Sequence, residues 1–149
     1  MRNADSFDPL KIGRYSVIRA HWQFPNEEPK SKLFIVLRHI VKSDGSPVCL
    51  CLKPTSHILH YERYPELLSG VVVYEAKALS IFPLRTIIDP ATHREIPHSH
   101  LQNEALSRHY KLEGKMPDDF HLKLVSAITN SQNLEPKTIR WLLESIGTL

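Results

Sequence analysis

Residues 33–52 read LFIVLRHIVKSDGSPVCLCL, and the way this stretch divides decides the fold. Leu33-Phe-Ile-Val-Leu37 is short and continuously apolar, as in a strand buried on both faces or closed into a barrel. Lys42-Ser-Asp-Gly-Ser-Pro47 supplies turn chemistry, with Asp44-Gly45 favouring a tight reversal. Val48 to Leu52 is the returning strand. The stretch therefore reads as a β-hairpin.

Upstream, residues 1–12 read as a polar tail with Pro9 close to its end. From Gly13 the chain turns strand-like, with Tyr15, Val17, Ala20, Trp22 and Phe24 mixing β-branched and aromatic residues with polar ones. Pro25-Asn-Glu-Glu-Pro29 then stops any regular element. Downstream, residues 53–69 form a long connection bearing histidines, tyrosines and two prolines. Gly70-Val-Val-Val-Tyr74 and Leu84-Arg-Thr-Ile-Ile88 are the next strands, with Pro83 marking an edge or break. Asp89-Pro90 closes the strand-rich half.

Helices are expected from about residue 99. Ser99 with Gln102 has the capping-box pattern, ahead of a short segment running to about Tyr110 and broken by Gly114. Pro117 occupies a first helical position, Asp118 and Asp119 suit the positive end of the dipole, and Phe120, Leu124, Ala127 and Ile128 share one stripe. A last helix starts near Pro136, buries Ile139, Leu142, Leu143 and Ile146, and stops at Gly147. Four or five short strands followed by helices predict an α+β fold. Residues 13–149 are expected to form one domain, a small curved sheet or barrel with helices at its end.

The totals fit such a domain. The chain has 149 residues, 42% hydrophobic and 23% charged, which is ordinary for one folded core. No apolar run approaches the ~20 residues that cross a bilayer. The opening MRNADSFDPL lacks the apolar centre of a secretory signal, and two cysteines at i, i+2 make no disulfide framework. A reducing, cytoplasmic setting is expected. The net charge of +3 with nine histidines permits nucleic-acid binding without demanding it, and the densest basic cluster, Lys30-Ser-Lys32, is modest.

Two chemistries compete for Cys49, Cys51 and the residues after them. A structural zinc site usually needs four ligands at repeated spacings. Cys49 and Cys51 have no second cysteine pair, and His93, His98 and His100 fall in a segment that reads as a cap leading into a helix. The cysteines read as small apolar fillers of a buried strand, with no metal or cofactor expected. Pro54-Thr-Ser56 lies where the third strand ends, so Thr55 and Ser56 stand at the rim of the sheet. There they either close a local turn onto their own backbone or handle a phosphate and a ribose hydroxyl. Lys30 and Lys32 start the neighbouring strand, His21 sits on the first strand and His57 follows Ser56. A cation, hydroxyls and an imidazole are the parts needed to cleave RNA without a metal. Each has a plainer use. His21 reads equally as a solvent-facing or hydrogen-bonded core histidine, Trp22 and Phe24 as packing, and Arg85 as half of an ion pair or a phosphate contact.

The order of these parts resembles the PemK/MazF-like toxins of type II toxin–antitoxin systems. Gly13-Arg-Tyr-Ser-Val-Ile-Arg-Ala-His-Trp-Gln-Phe24 resembles the family's opening strand. Lys30-Ser-Lys-Leu-Phe-Ile-Val-Leu37 is similar to its basic residue followed by an apolar second strand. Val48-Cys-Leu-Cys-Leu-Lys-Pro-Thr-Ser56 is similar to the third strand with its terminal threonine or serine, and Leu112-Glu-Gly-Lys-Met-Pro-Asp-Asp-Phe120 to the lead-in of its C-terminal helix. The resemblance spans roughly residues 13–131.

It implies an SH3-like barrel of about five strands, usually a homodimer, that cuts single-stranded RNA without a metal and is silenced by an antitoxin segment. The family's catalytic threonine or serine carries over to Thr55 and Ser56. Its arginine does not, since Lys32 stands in that place with Leu33 after it. The swap replaces a planar fork by a single mobile charge. The expectation is therefore a divergent endoribonuclease. Lys32 would be its electrostatic stabiliser, Thr55 and Ser56 would orient phosphate and ribose, His21 or His57 would be the acid/base, and Lys30 and Arg85 would bind RNA. The alternative is a catalytically silent barrel that binds a protein or RNA partner.

Overall fold

The chain doubles back on itself twice in its first third, and that meander builds the main sheet. The computed structural model describes residues 7–23, 26 and 28–148. Phe24, Pro25 and Glu27 of the expected first strand and its stop lie outside the described residues, as do residues 1–6 of the expected tail. Seven strands and four α-helices are present among the described residues. Contacts gather into two compact units, Met1–Cys51 with Arg94–Met116, and Leu52–His93 with Pro117–Leu149.

In the first unit, β1 (Ser16–Trp22), β2 (Lys30–Val41) and β3 (Pro47–Leu52) form the meander. The β2–β3 reversal is the expected one. Gly45 has φ +87°, and Asp44 accepts from both the N–H and the hydroxyl of Ser46 at 2.9 and 2.6 Å. Phe34, Ile35, Val36 and Leu37 are all buried, so this strand is covered on both faces, as its unbroken apolar run predicts. Each such side chain contributes about 1.5–3 kcal/mol by leaving water.

Two strands that the sequence reading lacks complete this sheet. β6 (Arg94–Pro97) pairs antiparallel with β3, and β7 (Lys111–Lys115) pairs antiparallel with β1, giving the order β6-β3-β2-β1-β7. Asp89-Pro90 therefore does not close the strand-rich part, and Gly114 lies within a strand rather than ending a helix. The β1–β7 register slips between Val17 and Ile18, which leaves Glu113 as the extra residue of a bulge. The Glu113 carboxylate accepts from Arg19 Nε at 2.6 Å, and this contact holds its pKa below the usual carboxylate value. β6 and β7 are the two edges of the sheet, which is open among the described residues.

One apolar layer of this unit gathers Ile12, Ile18, Ala20, Phe34, Val36, Cys49, Cys51, Ile96 and Leu101, with Trp22 and Tyr110 against it. Cys49 and Cys51 are thus core residues on one face of β3, both free, with sulfurs 3.5 Å apart. The hydrogen bond to Cys49 and burial push the Cys51 thiol well above its ordinary range. Residues 7–12 are not a loose tail. Asp8 caps a 3-10 turn, Pro9–Lys11, and Ile12 enters the core.

α2 (His98–Leu106) differs from its expected start and end. It begins after Pro97, which makes no side-chain cap bond, so the Ser99–Gln102 box does not form. It ends by Leu106 because residues 111–115 are drawn into the β7 pairing.

The second unit holds a two-stranded sheet of β4 (Val72–Tyr74) and β5 (Thr86–Ile88). The 53–69 connection is partly helical, with α1 (Leu59–Arg63) followed by a 3-10 turn, Pro65–Gly70. α3 (Phe120–Thr129) starts at Phe120 rather than Pro117 and buries Phe120, Leu124, Ala127 and Ile128, the predicted stripe. α4 (Pro136–Ser145) starts at the predicted proline, buries Leu142 and is followed by Gly147 at φ +80°. Tyr61 donates to Asp89 at 2.7 Å inside this unit, and Asp89 also accepts from the Ala91 N–H at 2.9 Å. No helix among the described residues is long and apolar enough to cross a membrane.

Candidate functional site

The residues singled out by sequence divide between the two units. His21, Lys30 and Lys32 belong to the first, and Thr55, Ser56, His57 and Arg85 to the second. In the first unit Lys30 opens β2 opposite Trp22 and is exposed, while Lys32 stands opposite Ala20 and is half-buried. His21 stands opposite Ser31.

In the second unit Thr55 is pinned. Its N–H donates to the Ile87 carbonyl at 2.9 Å, and the Ile87 N–H donates back to the Thr55 carbonyl at 2.8 Å. The main chain beyond β3 is thereby fixed to β5, and Ser56 and His57 follow on the exposed side. Thr55 Oγ1 accepts from the His57 N–H at 3.1 Å, the local turn that threonine commonly makes. Two residues from Ile87, Arg85 has its Nε 3.4 Å from Glu75 Oε1. That separation makes an ion pair without hydrogen-bond geometry, for the buried Nε has no hydrogen-bond partner among the described residues. Glu75 is 72% exposed, so this pairing is weak. A hydroxyl turn, an imidazole and an under-used guanidinium therefore flank a single main-chain bridge.

His21 takes part in a different arrangement. Pairing with β7 ends at Arg19, so among the described residues the next stretch of the β1 edge has no strand beside it. α2 supplies the missing partners. Glu104 accepts the main-chain N–H of His21 through Oε1, and His100 Nε2 donates to the His21 carbonyl at 2.7 Å. The His21 ring stacks on His109 with centroids 3.9 Å apart and planes 17° off parallel. His109 Nδ1 lies 3.5 Å from Glu104 Oε2, and Glu104 is only 8% exposed. His21, Glu104 and His109 offer ligand atoms that all lie within 4.8 Å of one another, enough to hold a metal ion. The sequence reading missed this group. Glu104 and His109 reach His21 from more than eighty positions away, and their i, i+5 spacing carries no metal-ligand signature.

A third pair involves His98, which is buried. His39 Nε2 donates to the Ile12 carbonyl at 2.7 Å, so its Nδ1 accepts from His98 Nε2 at 2.9 Å. Burial, then the neighbouring His39, lowers the His98 pKa. His98 and His39 act as a structural hydrogen-bond chain holding residue 12 to the sheet.

No protein-family model matches this chain, and no curated protein matches it.

Proposed function

We propose that this chain is a PemK/MazF-like endoribonuclease that cleaves single-stranded RNA in the cytoplasm without a metal, with Thr55, Ser56, His57 and Arg85 as its phosphate-handling rim. The observation that carries the reading is the state of Arg85. Its half-exposed side chain pairs only weakly with the exposed Glu75 carboxylate, and an incoming phosphate competes for the guanidinium as a stronger, bidentate acceptor. The Thr55–Ile87 bridge fixes the main chain from which the exposed Ser56 and His57 follow, and Arg85 precedes Ile87 by two residues. The β1–β2–β3 meander flanked by β7 and β6 is an open antiparallel sheet among the described residues, and the SH3-like barrel is what the resemblance adds to it.

In this reading His57 takes the proton from the ribose 2′-hydroxyl, and the 2′-oxygen attacks phosphorus. Arg85 offsets the growing charge on the phosphoryl oxygens while Ser56 orients the group. The P–O5′ bond breaks and the 5′-oxygen takes a proton from solvent water, leaving a 2′,3′-cyclic phosphate and a 5′-hydroxyl. Lys30 and Lys32, in the first unit, add basic charge that attracts the RNA electrostatically. A homodimer and an antitoxin segment are the protein partners the reading brings with it.

A silent RNA-binding barrel is the second reading. It is favoured by Thr55 Oγ1 already accepting from the His57 N–H, and by lysine at the position where the family has arginine. Induced expression in a bacterial host separates the two. The ribonuclease arrests growth, and His57→Ala or Arg85→Ala relieves the arrest while circular dichroism stays that of the parent. Harmless expression of a protein that still retards RNA on a gel selects the second reading.

A further inference from the structure

The histidine–glutamate group at the end of β1 takes no part in the proposed rim and calls for its own account. We propose that His21, Glu104 and His109 together bind one divalent transition-metal ion, with zinc as the matching cation, and that the metal fastens the turn after α2 to the end of β1. The proposal does not rest on the RNA reading.

The donor set decides the class of metal. Two imidazole nitrogens and one carboxylate suit a borderline cation such as zinc, whereas magnesium and calcium ask for all-oxygen shells. The spacing is close to what a metal needs. Bonds of about 2.1 Å in a tetrahedron place neighbouring ligand atoms about 3.4 Å apart. His109 Nδ1 and Glu104 Oε2 are already 3.5 Å apart, and the whole set lies within 4.8 Å.

Glu104 is held in place for this work. Its Oε1 receives the His21 N–H, which fixes the carboxylate and leaves Oε2 towards His109, in the way that ligating carboxylates are themselves hydrogen-bonded. His109 stacks nearly parallel on His21, so its ring, 43% exposed at its side chain, has to rotate out of the stack for both imidazole nitrogens to face one ion. His100 supports the group without joining it, because its Nε2 is committed to the His21 carbonyl. Three protein ligands leave a fourth position for water on the side where His109 meets solvent. The hydrogen bonds of Glu104 and His100 to His21 form without metal and hold α2 to the end of β1.

The test is a calorimetric titration of the full chain, stripped with chelator, using zinc chloride. One zinc per chain is expected. His109→Ala, an exposed substitution that spares the fold, should weaken binding by more than the ~10-fold that loss of a group hydrogen-bonded to a ligand costs. Cobalt(II) in place of zinc should give a visible spectrum free of a thiolate charge-transfer band. Absence of binding, binding unchanged in His109→Ala, or a thiolate band that assigns the metal to Cys49 and Cys51 would each overturn the proposal. RNA cleavage in EDTA is read separately, so failure of either idea leaves the other intact.

Discussion

The carboxylate of Glu104 accepts the main-chain N–H of His21 at the point where β7 stops pairing with β1. His100, one helical turn before Glu104, closes the carbonyl of the same residue. A helix thereby finishes a sheet edge with side chains, and the open backbone is left with no unmet bond at His21. A buried donor stripped of its acceptor costs about 1–3 kcal/mol, so Glu104→Ala should destabilise the fold by that amount. The exposed His109→Ala should cost under about 1 kcal/mol. Urea denaturation with an unchanged slope measures both. Equal losses in the two variants would mean that the carboxylate acts through His109 rather than through the strand.

The His39–His98 chain gives a pH dependence. The folded pKa of His98 is lowered, so the folded state binds fewer protons than the unfolded state as pH drops below the ordinary histidine value of about 6.5. Its stabilising contribution is therefore present above that value and is lost as pH falls towards the folded pKa. Thermal midpoints taken between neutral and mildly acid pH should fall, and His98→Gln should flatten that slope relative to the parent. A parent and variant with parallel slopes would remove His98 from the account.

Gly70 has no room for a side chain. A Cβ there would stand 2.7 Å from Ser131 Cα, a backbone atom that cannot swing aside. Gly70→Ala should cost at least the ~1–3 kcal/mol of an overpacked site, read as a lowered urea midpoint. A neutral result would show that the 3-10 turn shifts without penalty.

Tyr61 and Asp89 form a buried hydrogen bond in the second unit. Burial, then the bond to Asp89, pushes the Tyr61 hydroxyl far above the usual tyrosine range. Tyr61→Phe should cost roughly 1.5–3 kcal/mol, the range for a bond to a charged group, although Asp89 retains its Ala91 contact. Ultraviolet titration should show fewer tyrosines ionising under alkaline conditions than in an unfolded control, and Tyr61→Phe should narrow that difference by one, with the raised Tyr15, Tyr74 and Tyr110 accounting for the rest.

The hairpin was legible because its signals are local. The apolar run at 33–37, Asp44-Gly45 and the return at 48–52 each argue for the element they form. β6 and β7 were not legible. Arg94-Glu-Ile-Pro97 and Lys111-Leu-Glu-Gly-Lys115 hold a proline and a glycine, and become strands only because β3 and β1 offer them edges. The same holds for function. Thr55, Ser56 and His57 were visible as a run at a strand end, but the pinning of Thr55 by Ile87 and the unmet Nε of Arg85 depend on β5. His21 was visible as a histidine on a strand. Its partners Glu104, His100 and His109 come from a helix and turn far along the chain.

The central claim is cleavage of RNA at the Thr55–His57 turn, and end-mapping tests it most directly. The purified chain is incubated with a long single-stranded RNA in EDTA, beside His57→Ala, Arg85→Ala and Lys32→Ala. The account predicts discrete cuts with 5′-hydroxyl ends, lost in His57→Ala and Arg85→Ala and slowed in Lys32→Ala. Intact RNA with the parent protein, or cuts that persist in His57→Ala and Arg85→Ala, would contradict it.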